Sequence, residues 1–302
     1  MQDLLKNGLL NKSRPKTGEQ ESALKEYLRG AFDMHIHTSP DVSPRRCSDH
    51  ELARRLAAAG MGGALVKNHA CDTAARAALL NDLFPELFFA GGIVLNRQAG
   101  GLNPYAVRAS GKMGGRFVWF PTMDSLSYRR FHGKDRNDPD PESLIYLLDS
   151  NGELKKEVVD VLEETAAQGM VAATGHVSAE EGMAVLRAAR KMGIDIVLTH
   201  ADLPSNAYSP EQQKEAADLG AYIEHCYFTT YYGRVSLDEI IRQIRAAGCE
   251  HVYLSTDFGQ PNSPYSDEGI AEYAERLEAE GFTPEELSLM FRDVPEKLLR
   301  KQ

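Results

Sequence analysis

FDMHIHTSPD, residues 32–41, sets two histidines two apart at the end of a short apolar run. Residues two apart in a strand share a face, so the spacing predicts that His35 and His37 point one way while Met34 and Ile36 point the other. An H-x-H pair by itself is either the polar end of a strand or half of a metal site. The rest of the chain has to decide. Working outward, runs of β-branched, aromatic and small apolar residues recur at GGALVKN (62–68), LFFAGGIVL (87–95), RFVWFP (116–121), MVAATGH (170–176), DIVLTH (195–200), AYIEH (221–225) and HVYLSTD (251–257). Each is nearly all apolar, as strands buried on both faces are.

Between these runs lie helical stretches such as SDHELARRLAAAG, SAEEGMAVLRAARKMG and SLDEIIRQIRAAG, which open on Ser and close on Gly, the start and stop signals of helices. The turn after the first strand is HTSPDVSP rather than a Gly-rich phosphate loop, which argues against an open doubly wound sheet. Eight alternations in an α/β chain therefore predict a (β/α)8 TIM barrel. The expected organisation is an N-terminal lead-in and helix over 1–30 and a single barrel domain over 31–302. A hairpin insertion around Ser150-Asn151-Gly152 follows strand four, and a C-terminal helix closes the chain. The polar segment from MDSLSYRRF up to that hairpin is expected to fold over the barrel mouth.

Composition narrows the partners. The 302 residues are 42% hydrophobic and 26% charged, ordinary for a soluble globular protein. A net charge of −10 argues against nucleic acid or an anionic membrane surface and favours a small-molecule substrate. No apolar run approaches the roughly 18–20 residues that span a bilayer, and MQDLLKNGLLNKSRPK lacks a signal-peptide core. Cys47, Cys71, Cys226 and Cys249 show no C-x-x-C spacing, so a reducing cytoplasmic setting is expected. A homo-oligomer is compatible with all of this.

In such a barrel, chemistry sits at the C-terminal strand ends. Strand one supplies His35 and His37, strand two Lys67 and His69, strand five His176, strand six His200, strand seven His225 and strand eight Asp257. Six of the nine histidines therefore fall at strand ends, where chance would scatter them over surface helices. Singly, each is explained as a hydrogen-bonded structural residue. Jointly, a barrel mouth gathers them into one small circle, and neutral imidazoles with a carboxylate suit a divalent metal, Zn²⁺ first, with Mn or Fe as alternatives.

With His35 and His37, His176, His200 and Asp257 at these positions, the chain resembles the amidohydrolase superfamily of metal-dependent barrels over roughly residues 30–302. The closing DVPEKLLR is similar to that superfamily's NPAKLLG-like helix. The resemblance implies that His35, His37 and Asp257 hold one metal. His176 and His200 would hold a second, or in one-metal members one would complete the first site and the other act on substrate. Two-metal members often carry a carboxylated lysine or a glutamate on strand four, where this chain offers only Asp124; Lys67 on strand two is the lysine at a strand end. VKNHACDT resembles the strand-two motif of the polymerase-and-histidinol-phosphatase barrels, with His69 in the ligand position and Asn68 in place of Asp, which implies a phosphoesterase alternative.

The chemistry expected is hydrolysis of an amide, lactone or ester by water activated at a divalent metal. Asp257 is placed to take a proton from that water and pass it to the leaving group. His200 or His225 would stabilise the oxyanion. Lys67, Arg97 and Arg234 are candidates to hold an acidic substrate, with Tyr231 or Tyr232 as a wall. A decarboxylase or lyase on the same ligands is the alternative reaction, and a metal-binding barrel without turnover is the alternative class.

Overall fold

In the computed structural model, residues 29–134 and 144–300 are described; the N-terminal lead-in and helix expected over 1–30 and the middle of the insertion fall outside them, save for Arg29 and Gly30. The strands are β1 (Phe32–Ile36), β2 (Gly63–Val66), β3 (Phe88–Ala90), β4 (Gly92–Val94), β5 (Phe117–Trp119), β6 (Val171–Ala173), β7 (Ile196–Leu198), β8 (Tyr222–Cys226) and β9 (Val252–Ser255). All pair in parallel, in the orders β1-β2-β3 and β4-β5-β6-β7-β8-β9. The ring closes between its ends, where the His37 amide donates to Phe258 O (2.9 Å) and the Asp257 amide to His35 O (2.8 Å). The molecule is the (β/α)8 TIM barrel that the alternation predicts.

The other seam has a local cause. Residues 87–95 form two short strands, not one, broken at Gly91. A Cβ at Gly91 would sit 2.3 Å from Thr73 O, and one at Gly92 only 2.0 Å from Phe117 O. Glycine at both places lets the strand bend, and the Thr73 hydroxyl stitches the bend, lying 2.7 Å from Val66 O and 3.1 Å from Gly92 O.

Helices alternate with the strands: α1 (Asp49–Ala59), α2 (Ala74–Leu83), α3 (Pro104–Lys112), α4 (Leu126–Phe131), α5 (Lys156–Ala167), α6 (Ala179–Lys191), α7 (Pro210–Asp218), α8 (Tyr227–Tyr231), α9 (Leu237–Ala247), α10 (Ser266–Ala279), α11 (Pro284–Ser288) and α12 (Val294–Arg300). The caps are those written in the sequence. Ser48 accepts from the Glu51 amide at the start of α1, Gly60 closes it at φ 72°, and Ser178 with Glu181 makes a capping box on α6. The insertion hairpin is present as an antiparallel bridge between Leu148 and Leu154.

Two apolar layers result. Ile36, Val66, Ile93, Val118, Ala172, Ile196, Ile223 and Leu254 pack outward against the helices. Phe32, Met34, Leu65, Val94, Phe117, Trp119, Val171, Val197, Tyr222 and Tyr253 fill the barrel, and Val294, Leu298 and Leu299 plug its lower end. The plug uses the strands' first residues, which leaves their last residues free for polar side chains.

Met34 departs from the alternation expected of strand one. It joins Phe32 inside the barrel rather than sharing a face with Ile36. The register of β1 against β2 shifts between Asp33 and Ile36, an irregularity of the bulge kind. Met34 can therefore fill the barrel while His35 and His37 line its mouth.

Candidate metal centre

Three strand ends turn through the left-handed region at or beside a candidate ligand: Gly175 (φ 66°) before His176, His200 itself (φ 47°) and Asp257 itself (φ 52°). Two of these are not glycine, and a left-handed backbone there costs of order 1–3 kcal/mol, so the surroundings must hold it. At Gly175 a Cβ would lie 2.1 Å from Phe120 O, so no other residue fits. Each turn aims its side chain into the mouth.

The rings meet there. Centroids lie 5.3 Å apart for His35 and His37, 4.7 Å for His35 and His200, 4.8 Å for His37 and His69, 5.9 Å for His69 and His176, and 5.2 Å for His176 and His200. Asp257 reaches across: Oδ1 is 3.2 Å from His35 Nε2 and 3.2 Å from His37 Nε2, and Oδ2 is 3.6 Å from His200 Nε2. His69 Nδ1 is 2.8 Å from Thr122 Oγ1. The structure thus brings His35, His37, His69, His176, His200 and Asp257 into one ring.

Buried polar atoms ordinarily have hydrogen-bond partners. Among the described residues, His35 Nε2, His37 Nδ1, both nitrogens of His176, His200 Nδ1 and Lys67 Nζ are buried with no such partner. Two ligands of one tetrahedral Zn²⁺, at about 2.0–2.2 Å each, lie about 3.3–3.5 Å apart. The His35–Asp257 and His37–Asp257 separations fit that edge, and the three residues offer atoms within 4.8 Å of one another. A divalent cation therefore suits this donor set.

Burial sets the protonation. It holds His35, His37, His69 and His176 well below the ordinary histidine pKa and brings His200 down to about 4, so the rings are neutral and have lone pairs to give. It raises Asp257, while His200, Lys67, Arg45 and Arg234 pull that carboxyl back down. It also lowers Lys67, against the pull of Glu224 and Asp257.

Other expected site residues are placed elsewhere. His225 faces outward with Ile223, and its Nδ1 meets Asp202 Oδ1 at 3.0 Å; Asp202 also accepts from Thr229. Strand alternation explains this, because on β8 residues 222, 224 and 226 face the barrel. Arg97 is held by Asp124, through its amide (2.9 Å) and guanidinium (2.8 Å), and lines a groove of about 540 Å³ that none of the ring histidines lines. Tyr231 packs among Tyr227, Phe258 and Tyr232. The aromatic ring beside the histidines is Tyr128, at the start of the insertion, 5.3 Å from His176. Lys67 is fully buried, its Nζ 5.5 Å from the Trp119 ring centroid. Asn68 turns back to the amides of Ala70 (2.8 Å) and Cys71 (3.1 Å).

Glu224 is the residue that sequence reasoning missed. Its Oε1 lies 3.1 Å from His35 Nδ1 and 3.1 Å from the Tyr253 hydroxyl, and its Oε2 accepts the His200 amide at 3.2 Å. Burial pushes its carboxyl up, while the buried Lys67 pulls it back toward the ionised form. The signal was present: in AYIEH the glutamate and histidine are adjacent, so only one of them can face the barrel.

Comparison with known proteins agrees at the level of fold. An amidohydrolase from Pseudomonas aeruginosa superposes with a TM-score of 0.63 at 13% identity, over 92% of this chain and 98% of its own. A probable dipeptidase from the same organism gives 0.64 at 11%, over 93% and 97%. A 2,6-dihydroxybenzoate decarboxylase bound to 2,6-dihydroxybenzoate gives 0.54 at 12%, over 90% and 99%. The amidohydrolase likeness read from the strand ends thus holds in the fold. No curated protein matches the sequence. One family model matches residues 30–224, running from the first strand to Glu224, and the chain belongs to that Family of unknown function (DUF6282).

Proposed function

We propose that this protein is a metal-dependent hydrolase of a small molecule with an amide, lactone or ester bond. The observation that carries the reading is that Asp257 meets the Nε2 atoms of His35, His37 and His200 in a buried ring of neutral imidazoles. His35, His37 and Asp257 would hold one divalent cation, Zn²⁺ by donor chemistry, and His69, His176 and His200 line the adjoining half of the ring. When bound, such a cation lowers the pKa of water from 15.7 to about 7 and polarises a carbonyl oxygen.

The chain's own residues do the rest. Asp257 Oδ2, turned toward His200, takes the proton from the attacking water and returns it to the leaving group. Tyr128 walls the side of His176. Arg234 lies against Phe228 (4.7 Å to the centroid), and its charge bears on both Asp257 and His200, which favours a substrate carrying a carboxylate. The fold shared with a dipeptidase and an amidohydrolase supports hydrolysis. The likeness to a decarboxylase supports a second reading, loss of CO₂ from an acidic substrate at the same ligands.

The test combines elemental analysis with a screen of amides, lactones, esters and carboxylated aromatics. About one equivalent of metal or more, lost in His35→Ala, is expected, with turnover falling by 100-fold or more in Asp257→Asn, on the order of one general-base contribution. Less than about half an equivalent, unchanged by His35→Ala, would remove the reading. A product that takes up no oxygen from ¹⁸O-labelled water would leave decarboxylation in its place.

A further inference from the structure

We propose that Glu224 is the positioning residue of the ring: it fixes the Nδ1–H tautomer of His35 and holds the backbone of His200. Both residues then present Nε2 to a cation on the outer face, the face of Asp257. This rests on the metal reading above.

The geometry is one-sided. His35 lies between two carboxylates, Glu224 Oε1 at 3.1 Å from Nδ1 and Asp257 Oδ1 at 3.2 Å from Nε2. A neutral imidazole carries one proton, so only one of these contacts can be a hydrogen bond. Oε1 already accepts from the Tyr253 hydroxyl and Oε2 from the His200 amide, so the carboxylate acts as an acceptor on both oxygens and His35 supplies the proton at Nδ1. The contact at Nε2 lacks hydrogen-bond geometry, as expected of two lone pairs facing one another across a cation's place. The same carboxylate anchors the amide of His200, whose left-handed φ of 47° needs such a hold. A buried carboxylate on the far nitrogen is how metal-ligating imidazoles are oriented in general.

The same residues offer a competing arrangement. His35, His200, Glu224 and Cys226 offer atoms within 4.8 Å of one another on the inner face, Cys226 Sγ being 3.8 Å from His35 Nδ1. A cation there would need Nδ1 of His35 without its proton. The tautomer therefore decides between the two faces.

In ¹⁵N-histidine NMR of the metal-free wild type, with the signal assigned by its loss in His35→Asn, His35 is expected as the Nδ1–H form. In Glu224→Gln, whose amide can offer a proton to Nδ1, that form should be lost. Zn²⁺ affinity, measured by chelator competition, should weaken 10–100-fold while the metal-free protein stays folded by circular dichroism. The Nε2–H form in the wild type overturns the proposal without any variant having to fold. So does unchanged Zn²⁺ affinity in folded Glu224→Gln. A sulfur-to-cobalt charge-transfer band in the Co²⁺-loaded wild type, lost in Cys226→Ser, would put the cation on the inner face and also overturns it. A wild type that takes up neither Zn²⁺ nor Co²⁺ fails at the earlier step, removing the metal reading and the role of Glu224 together.

Discussion

Five imidazoles crowd one buried ring, and the first consequence is a pH dependence. Burial lowers the pKa of His35, His37, His69, His176 and His200 from the ordinary 6.5, the last to about 4. Unfolded, these rings take up protons near 6.5; folded, they resist until the pH is lower. The unfolded chain therefore binds more protons in that window, and stability falls as pH drops from about 6.5 toward 4. His200 alone contributes roughly 3 kcal/mol to that loss. Glu224, Asp33 (about 6) and Asp257 act in the opposite direction, because burial raises the folded-state pKa of each above its ordinary value. Five rings against three carboxyls set the sign. Urea midpoints of the metal-free protein should fall between about pH 6.5 and 4.5, and a rise over that interval would contradict the account.

Among the elements, the strands divide their labour along their length. Their first residues meet the plug of α12, and their last residues carry the ring. Leu298 is 1% exposed within the barrel-filling cluster at the plugged end. Leu298→Ala should cost about 2–5 kcal/mol by leaving a cavity there, yet leave metal content unchanged, because the ring lies at the other end. Thermal unfolding beside elemental analysis checks both halves, and metal loss in a folded variant would mean that the two ends are coupled. Along the same strands, alternation was legible wherever the backbone was regular. It put His35 and His37 on one face, and applied to β8 it would have excluded His225. It failed at Met34 and at residues 87–95, where a bulge and a glycine pair change the register, since both depend on what the neighbouring strand does.

For the molecule as a whole, a cation bound only by the folded ring must stabilise the barrel by mass action. Zn²⁺ at 100-fold above its Kd should add about 2.7 kcal/mol and raise the unfolding temperature by several degrees. Chelation should reverse the rise and His35→Ala should abolish it, as followed by calorimetry; an equal rise in His35→Ala would put the stabilising site elsewhere. Local sequence alone is enough for the alternation of strands and helices, the caps that bound them and the residues that end each strand. These are properties of neighbours along the chain, governed by side-chain period and local hydrogen bonding. Barrel closure then brings strand ends from residue 35 to residue 257 into one circle. Which residues meet inside it depends on packing between distant strands. Asp257 touches three histidines. Glu224 replaces His225 on the inner face, and Tyr128 rather than Tyr231 stands beside the ring. The physical reason is that contacts between distant strands depend on stagger and on bulges, which no single segment encodes.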